Sequence, residues 1–192
     1  MPDPSPAALE FLLSRRSRPA KTLAPPAPDR AQLMPILTAA ARSPDHGKLE
    51  PWRFVVIRGV AMARLANLVE IRGAALGKSS EDIAKARSQF DQGHLAVAVI
   101  EVQKPSDKIP PIEQSYSAGA VCVALLNAAL ASGWGANWLS GWPSHDATFC
   151  QQGLGLRDNE RIAGFIHIGT ERSAPPERPR PDLDAITEWK DA

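Results

Sequence analysis

The strongest constraint on the fold is an apolar stretch in the middle of the chain. Residues 118–130 run Ala-Gly-Ala-Val-Cys-Val-Ala-Leu-Leu-Asn-Ala-Ala-Leu, and they lie within a segment, roughly 112–132, that has the pattern of one long helix. A helix without a polar face is buried on most sides, either in a core or at a subunit interface. We therefore expect a fold in which this helix is covered by a sheet, by other helices or by a second subunit.

Hydrophobic patterns predict the remaining elements. The continuous apolar run at residues 95–102 is typical of a buried central strand. Asp29, followed three positions later by Gln32, has the pattern of a capping box at a helix start. Further helices are predicted at 5–15, 29–42, 60–76, 81–90 and 144–154 with Ser144 as N-cap, and further strands at 53–57, 136–139 and 161–168. Residues 18–28 are proline-rich and are predicted to be irregular. The irregular spacing favours an α+β sheet flanked by helices.

Composition excludes several classes of protein. A chain of 192 residues with 44% hydrophobic and 22% charged residues can form one domain with a true core. The net charge of +1 gives no general attraction to nucleic acid or to an anionic membrane surface. The N-terminus lacks the pattern of a secretory signal, and no uninterrupted apolar run approaches the ~18 residues of a membrane span. Cys122 and Cys150 form no CxxC motif, so we expect reduced thiols and a cytoplasmic protein.

Common catalytic motifs are missing from the sequence. There is no GxGxxG after a strand, no GxxxxGK[ST] and no GxSxG elbow. The four histidines are scattered without metal-ligand spacing, so we expect no metal site. No local motif supports a side-chain nucleophile, although the order of residues alone leaves a Ser-His-Asp arrangement open.

Two polar segments carry candidate binding residues. The thirteen residues from Arg42 to Phe54 form an irregular connection rich in charge, and such loops often carry binding groups. His46, in this loop, is either a hydrogen-bonding residue of a ligand pocket or an ordinary loop histidine. Arg15-Arg16-Ser17 follows the first predicted helix, and arginine forks are suited to phosphate. Two solvated arginines at a helix C-terminus would fit the same pattern.

Tryptophans cluster near the end of the predicted strand at 136–139. Trp134, Trp138 and Trp142 alternate with glycines, which permit close backbone approach, while indoles offer flat stacking faces. The cluster is compatible with a planar ligand, with an intersubunit contact or with simple core packing.

Five motifs in register resemble the nitroreductase family of FMN-dependent reductases, and most closely its small bacterial NAD(P)H nitroreductase branch. They are Arg15-Arg-Ser17, Arg42-Ser-Pro-Asp-His46 with Glu50-Pro-Trp-Arg-Phe-Val-Val-Ile57, Glu113-Gln-Ser-Tyr-Ser-Ala-Gly119, Gly133-Trp-Gly-Ala-Asn-Trp-Leu-Ser-Gly141 and Ile162-Ala-Gly-Phe-Ile-His-Ile-Gly-Thr170. The resemblance implies an α+β, nitroreductase-like fold with a central, mostly antiparallel sheet flanked by helices. It implies an intertwined homodimer with FMN at the subunit interface. Residues 1–172 would form the FMN-binding domain. The Pro/Arg-rich arm 173–192, which its prolines predict to be extended, could wrap the partner.

The same resemblance assigns roles to individual residues. Arg15, Arg16 and Ser17 would bind the phosphate and ribityl end of FMN, and Arg42 and His46 would contribute from the other subunit. The remaining assigned residues are Trp138, Leu139 and Ser140 along the flavin, and Ala128, Ala129, Leu130, Ala131, Ser132 and Gly133 where relatives place the nicotinamide nucleotide. Some relatives carry arginine where this chain has Leu139, and Arg178 or Arg180 could replace that donor.

The activity implied is an FMN-dependent NAD(P)H oxidoreductase that reduces nitroaromatic, quinone or similar small acceptors. Hydride transfer would pass through flavin N5 in a ping-pong cycle, with no catalytic side chain. Three alternatives remain open: a flavin-binding sensor or storage protein without turnover, a different reaction on the same fold, and an interaction domain that binds no flavin.

Overall fold

The computed structural model describes residues 3–190 and contains one antiparallel sheet with helices on both faces. The helices are α1 (Pro6–Ser14), α2 (Arg30–Ala40), α3 (Val60–Ala75), α4 (Ser80–Asp91), α5 (Pro111–Ala131), α6 (Ala147–Leu154) and α7 (Leu183–Ile186). The strands are β1 (Leu23–Ala24), β2 (Trp52–Arg58), β3 (Leu95–Val102), β4 (Gly135–Leu139) and β5 (Glu160–Glu171). The strand order is β1-β5-β3-β2, and β4 also pairs with β5. All recorded pairings are antiparallel, which confirms the predicted α+β class.

Local sequence signals predicted several elements correctly. β3 spans the apolar run 95–102, and all eight of its residues are buried. The capping box of α2 is present, because the Gln32 amide N–H donates to Asp29 Oδ1 at 2.8 Å and the Asp29 N–H donates to Gln32 Oε1 at 3.0 Å. These two bonds satisfy donors that the first turn of a helix otherwise leaves free.

Three local predictions were wrong. α6 begins at Ala147 rather than at Ser144, because the Asp146 carboxylate accepts the Phe149 N–H at 2.9 Å and is itself held by Arg72 at 2.8 Å. Ser144 instead belongs to a 3-10 turn, Trp142–His145. The proline-rich segment 18–28 contains a 3-10 turn and β1, and the arm contains the short helix α7.

The sheet separates two hydrophobic cores, and β3 contributes alternate side chains to each. Ala96, Ala98 and Ile100 pack with α3, α4 and α6, where Phe90 meets Phe165 edge-on with ring centroids 5.5 Å apart. Leu95, Val97 and Val99 pack on the opposite face with α2 and α5. Each fully buried aliphatic or aromatic side chain contributes roughly 1.5–3 kcal/mol to folding.

The long helix α5 is only partly covered within one chain. Val121, Cys122 and Leu125 are fully buried against the sheet and α2, whereas Tyr116 and Val123 on the outer face are 69% and 45% exposed. By length and composition α5 is also, within residues 3–190, the one helix apolar enough to cross a membrane, although no uninterrupted apolar run reaches that length. Its contacts with the sheet are those of a core helix.

His167 lies in β5 with both ring nitrogens buried and without hydrogen-bond partners in the described part of the chain. Burial lowers the pKa of His167 from 6.5 to about 4, because the core disfavours the charged ring. The folded state therefore binds the proton more weakly than the unfolded chain. The stabilising contribution of the neutral ring is complete above about pH 6.5 and is lost as the pH falls toward 4.

We expect acid to destabilise the protein through His167 before its carboxylates titrate. The free energy of unfolding should fall by about 1.4 kcal/mol per pH unit between pH 6.5 and 4. In His167→Leu this slope should be absent between about pH 6.5 and 5, above the range in which the carboxylates begin to titrate. Urea unfolding measured at half-unit pH steps would show it, with the exposed His94→Gln as a control that keeps the wild-type slope. Equal slopes in His167→Leu and wild type would contradict this account.

Candidate functional site

The Arg15-Arg16-Ser17 segment is attached to β4 by backbone and side-chain hydrogen bonds. α1 ends at Ser14, and the chain then runs along the strand. The Arg18 N–H donates to the Ala136 carbonyl oxygen at 2.8 Å, and Asn137 Nδ2 donates to the Arg18 carbonyl oxygen at 2.9 Å. The guanidinium of Arg18 also pairs with Glu171 at 2.9 Å. These contacts fix the two preceding arginines beside the end of the sheet.

A basic cavity opens at this point, and we call it the arginine cavity. Its volume is about 430 Å³, and it is lined by Arg15, Arg16, Ser17, Pro19, Asn137, Trp138, Glu177, Arg178 and Arg180. Four arginines thus face one glutamate. Such an excess of guanidinium groups is suited to an anion that can accept several hydrogen bonds, such as a phosphate.

The charges of the arginine cavity are not balanced within the chain. Burial, together with the positive charges of Arg180 and Arg18, lowers the pKa of the Arg15 guanidinium from its ordinary value. Arg15 Nε and Arg16 Nη1 are buried and have no hydrogen-bond partner in residues 3–190, while Arg15 Nη2 donates to Ser17 Oγ at 3.1 Å. The positive charges of this cluster therefore repel one another, and a bound anion would reduce that repulsion.

The C-terminal arm forms one wall of the arginine cavity. Arg180 Nη2 donates to the carbonyl oxygen of Leu13 at 3.2 Å, at the end of α1, and also pairs with Glu177 at 3.1 Å. A cation at the C-terminal end of a helix is favoured by the helix dipole. The arm thus brings Arg178 and Arg180 into the arginine cavity.

Trp138 forms another wall and depends on a glycine of the neighbouring strand. A Cβ atom built on Gly164 would lie only 2.0 Å from Trp138 Nε1. Any larger residue at position 164 would therefore displace the indole. The side chain of Trp138 is 37% exposed, so part of its face remains available to a ligand.

A second cavity of about 500 Å³, which we call the α4 cavity, adjoins the first. It is lined by Pro19, Ala20, Lys21, Asp82, Lys85, Ala86, Ser88, Gln89, Gln92, Gly93, Asn137, Leu139, Ser140, Gly141 and Trp142. Asn137 and Leu139 face α4 because they pair with His167 and Phe165, which point to the same side of the sheet. Pro19 and Asn137 line both cavities, so the two cavities adjoin at these residues.

The α4 residues of this site were missed by sequence reasoning. Residues 81–90 predicted only a short charged helix, and α4 does carry exposed charges along its length. Lys85 and Gln89 reach the site because α4 packs on α3 and leaves one side open toward β4. No local sequence signal reports such a long-range arrangement.

The other predicted site residues lie elsewhere in the chain. Arg42 lines an open groove with Pro44, Val123 and Ala124, on the α5 side of the molecule. His46 Nδ1 lies 2.7 Å from Glu113 Oε2, at the start of α5. Residues 128–133 form the C-terminal end of α5 and the following turn, and they line neither the arginine cavity nor the α4 cavity. A single chain therefore does not bring these groups together, and their assignment stays a prediction.

Another cavity lies at the opposite end of the sheet, and several of its ionic groups form ion pairs. It measures about 570 Å³, and at its wall Arg161 pairs with Glu101 at 2.6 Å and Glu160 pairs with Arg53 at 2.8 Å. The hydrogen bond from Arg53 lowers the pKa of Glu160 to about 2. These ion pairs connect the ends of neighbouring strands and neutralise each other's charge. We therefore favour the smaller arginine cavity, which has an excess of positive charge, as the functional site.

The described residues offer no alternative catalytic centre of a common kind. In residues 3–190 no group of three or more His, Cys, Asp or Glu side chains could hold a metal ion. Burial raises the pKa of Cys122 to about 12 and that of Cys150 to about 11, so neither thiol is a ready nucleophile.

Fold and site together define an α+β protein with an arginine-rich cavity beside a second cavity that has fewer charged side chains. The family model "Nitroreductase family" matches residues 12–170. The chain therefore belongs to the nitroreductase family, as the motifs indicated.

Individual relatives agree with this assignment. The chain is 37% identical over 163 residues to the "Putative NAD(P)H nitroreductase YdjA" of Escherichia coli (strain K12), covering 85% of this chain and 87% of that protein. A nitroreductase-like family protein from Bacillus cereus superposes with a TM-score of 0.81 at 23% identity, over 100% of both chains. A structure described as a "putative nitroreductase in complex with fmn" from Desulfovibrio desulfuricans gives a TM-score of 0.75 at 19% identity, over 98% of this chain and 99% of that one.

Proposed function

We propose that this protein is an FMN-dependent NAD(P)H oxidoreductase that reduces small electron acceptors such as nitroaromatics and quinones. The observation that carries the proposal is the pair of adjoining cavities, one rich in arginine and one lined mostly by uncharged residues. The names of relatives support it, since they mention NAD(P)H and FMN. When bound, FMN would supply the hydride-accepting chemistry at its N5 atom.

The residues of the site fit the parts of FMN in order. The phosphate matches the arginine cavity, where Arg16 and Arg180 supply guanidinium donors and Ser17 supplies a hydroxyl. The flat ring matches the α4 cavity, whose volume of about 500 Å³ is within the usual range for small-molecule sites. The shared wall at Pro19 and Asn137 places the two cavities side by side, as a ligand that spans both would require.

The protein would act by binding and electrostatics rather than by a covalent step. Lys21 and Lys85 line the α4 cavity and favour negative charge in it, as preorganised cations do at sites where charge develops. Trp138 forms one wall of the arginine cavity. Leu139 and Trp142 add apolar surface against which a planar ring can pack.

The proposal includes a cytoplasmic homodimer that binds neither nucleic acid nor membrane. The open groove between α2 and α5 is lined mainly by small and apolar residues, including Ala39, Ala120 and Val123. A second copy docked on this groove would cover the exposed face of α5. It would also bring Arg42, which lines the same groove, to the boundary between the subunits, where the partner's site would be completed.

We expect initial rates to follow a ping-pong pattern, because donor and acceptor would use the same cavity in turn. NADPH and NADH oxidation should be measured at several fixed concentrations of a nitroaromatic such as nitrofurazone, with FMN-loaded protein. Parallel double-reciprocal lines are expected, at rates far above those of free FMN at the same concentration. Intersecting lines would contradict the ping-pong order, and rates equal to those of free FMN would contradict the enzyme itself.

A further inference from the structure

One polar side chain lies at the junction of the two cavities. Pro19 and Asn137 are the residues that line both, and of these only Asn137 has a side chain that can form hydrogen bonds. A ligand with its phosphate in the arginine cavity and its ring in the α4 cavity must pass its linking chain through this junction. The junction residue therefore contacts the linker rather than either end.

The amide of Asn137 has a fixed orientation. Its Nδ2 atom donates to the carbonyl oxygen of Arg18 at 2.9 Å, and only the amide nitrogen can donate to a carbonyl. The Arg18 N–H in turn donates to the Ala136 carbonyl oxygen at 2.8 Å, so the acceptor is itself held in place. The oxygen Oδ1 is consequently available to a ligand as an acceptor, while the second hydrogen of Nδ2 can still act as a donor.

We propose that Asn137 is a binding residue for the ribityl chain of the flavin, with Oδ1 accepting a hydrogen bond from one of its hydroxyl groups. This inference rests on the proposed function, because it takes FMN as the ligand. The ribityl chain carries secondary hydroxyls midway between ring and phosphate, which is where the junction lies. Asn137 thus contributes to the selectivity of the site for flavins with a hydroxylated linker over flat rings that lack the linker.

The test compares three flavins on two proteins. Dissociation constants for riboflavin, for 10-pentylisoalloxazine, whose linker lacks hydroxyls, and for lumiflavin, which lacks the linker, would be measured by fluorescence quenching. In Asn137→Ala the affinity for riboflavin should fall about 3- to 10-fold, the effect of one neutral hydrogen bond. The affinities for the pentyl flavin and for lumiflavin should stay within about twofold of wild type.

The comparison separates a binding role from a structural one. The wild type should bind riboflavin more tightly than the pentyl flavin, and the ratio of these two affinities should be about 3- to 10-fold smaller in the variant. A direct contact between Asn137 and the linker hydroxyls requires this difference in a thermodynamic cycle. Equal losses for all three flavins would mean that Asn137 only holds Arg18 in place, which overturns the proposal. Unchanged affinities would overturn it as well.

Two further results keep the test decisive. Wild-type protein that binds none of these flavins, nor FMN, would contradict the proposed function rather than the role of Asn137. If Asn137→Ala does not fold, Asn137→Ser gives the same comparison, because its hydroxyl is too short to span the junction. A wild type with no preference for riboflavin over the pentyl flavin would overturn the proposal without any variant.

Discussion

The double variant Arg15→Ala/Arg16→Ala is expected to lose FMN almost completely, with a dissociation constant about 10² to 10⁴ times that of wild type. Both side chains line the arginine cavity. Charge-assisted hydrogen bonds contribute roughly 1.5–3 kcal/mol each, and about 1.4 kcal/mol corresponds to a tenfold change in affinity. Stability should change little, because the two guanidinium groups repel their neighbours in the free protein and burial disfavours the charge of Arg15.

A matched control separates the phosphate contact from a general loss of charge. Arg30→Ala/Arg58→Ala removes the same charge from two exposed positions that line neither cavity, and it should retain wild-type FMN affinity. Riboflavin, which has no phosphate, should bind the Arg15/Arg16 variant about as well as wild type. Removing the arm arginines, Arg178 and Arg180, should give a smaller loss, because both are exposed. FMN affinity that survives the loss of Arg15 and Arg16 would place the phosphate elsewhere.

The variant Val123→Arg is expected to be a monomer. Val123 is 45% exposed in the single chain, so an arginine there meets no obstacle within its own subunit. In a twofold-symmetric dimer each interface contains both copies of the substitution. A buried, unpaired charge costs several kcal/mol, so the dimer dissociation constant should rise at least about 10²-fold. Sedimentation velocity over a range of protein concentrations would measure the change.

The same variant also tests whether the site needs a second subunit. FMN affinity should fall together with dimerisation, because Arg42 and His46 would no longer reach the partner's site. Ile71→Arg is the matched control, since Ile71 is a 64% exposed apolar residue on α3. It should remain a dimer with normal FMN affinity. A folded Val123→Arg monomer with wild-type FMN affinity would show that one chain carries the complete site.

Local signals in the sequence predicted most of the secondary structure for identifiable reasons. β3 was predictable because a strand buried on both faces needs an uninterrupted apolar run. α2 was predictable because Asp29 and Gln32 satisfy its first-turn donors. The start of α6 was not predictable, because two residues that can act as an N-cap, Ser144 and Asp146, lie two positions apart. Asp146 prevails through its bond to Arg72, a residue 74 positions away.

The site was only partly predictable, because most of its walls meet through tertiary contacts. Arg15, Arg16 and Trp138 were identified from their types and the resemblance, and the structure brings them into one cavity. Lys85 and Gln89 gave no signal, since a charged helix usually faces solvent. The placement of Arg42 and His46 depends on a second subunit, which the sequence predicts and one chain does not contain.

The most direct test of the account is the visible spectrum of the FMN-loaded protein before and after anaerobic addition of NADPH or NADH. We expect the absorbance bands of oxidised flavin to bleach and to return when a quinone or nitroaromatic is added. Bands that persist with both donors would show a flavin-binding protein without turnover. Protein that is colourless and takes up no added FMN would contradict the proposed function altogether.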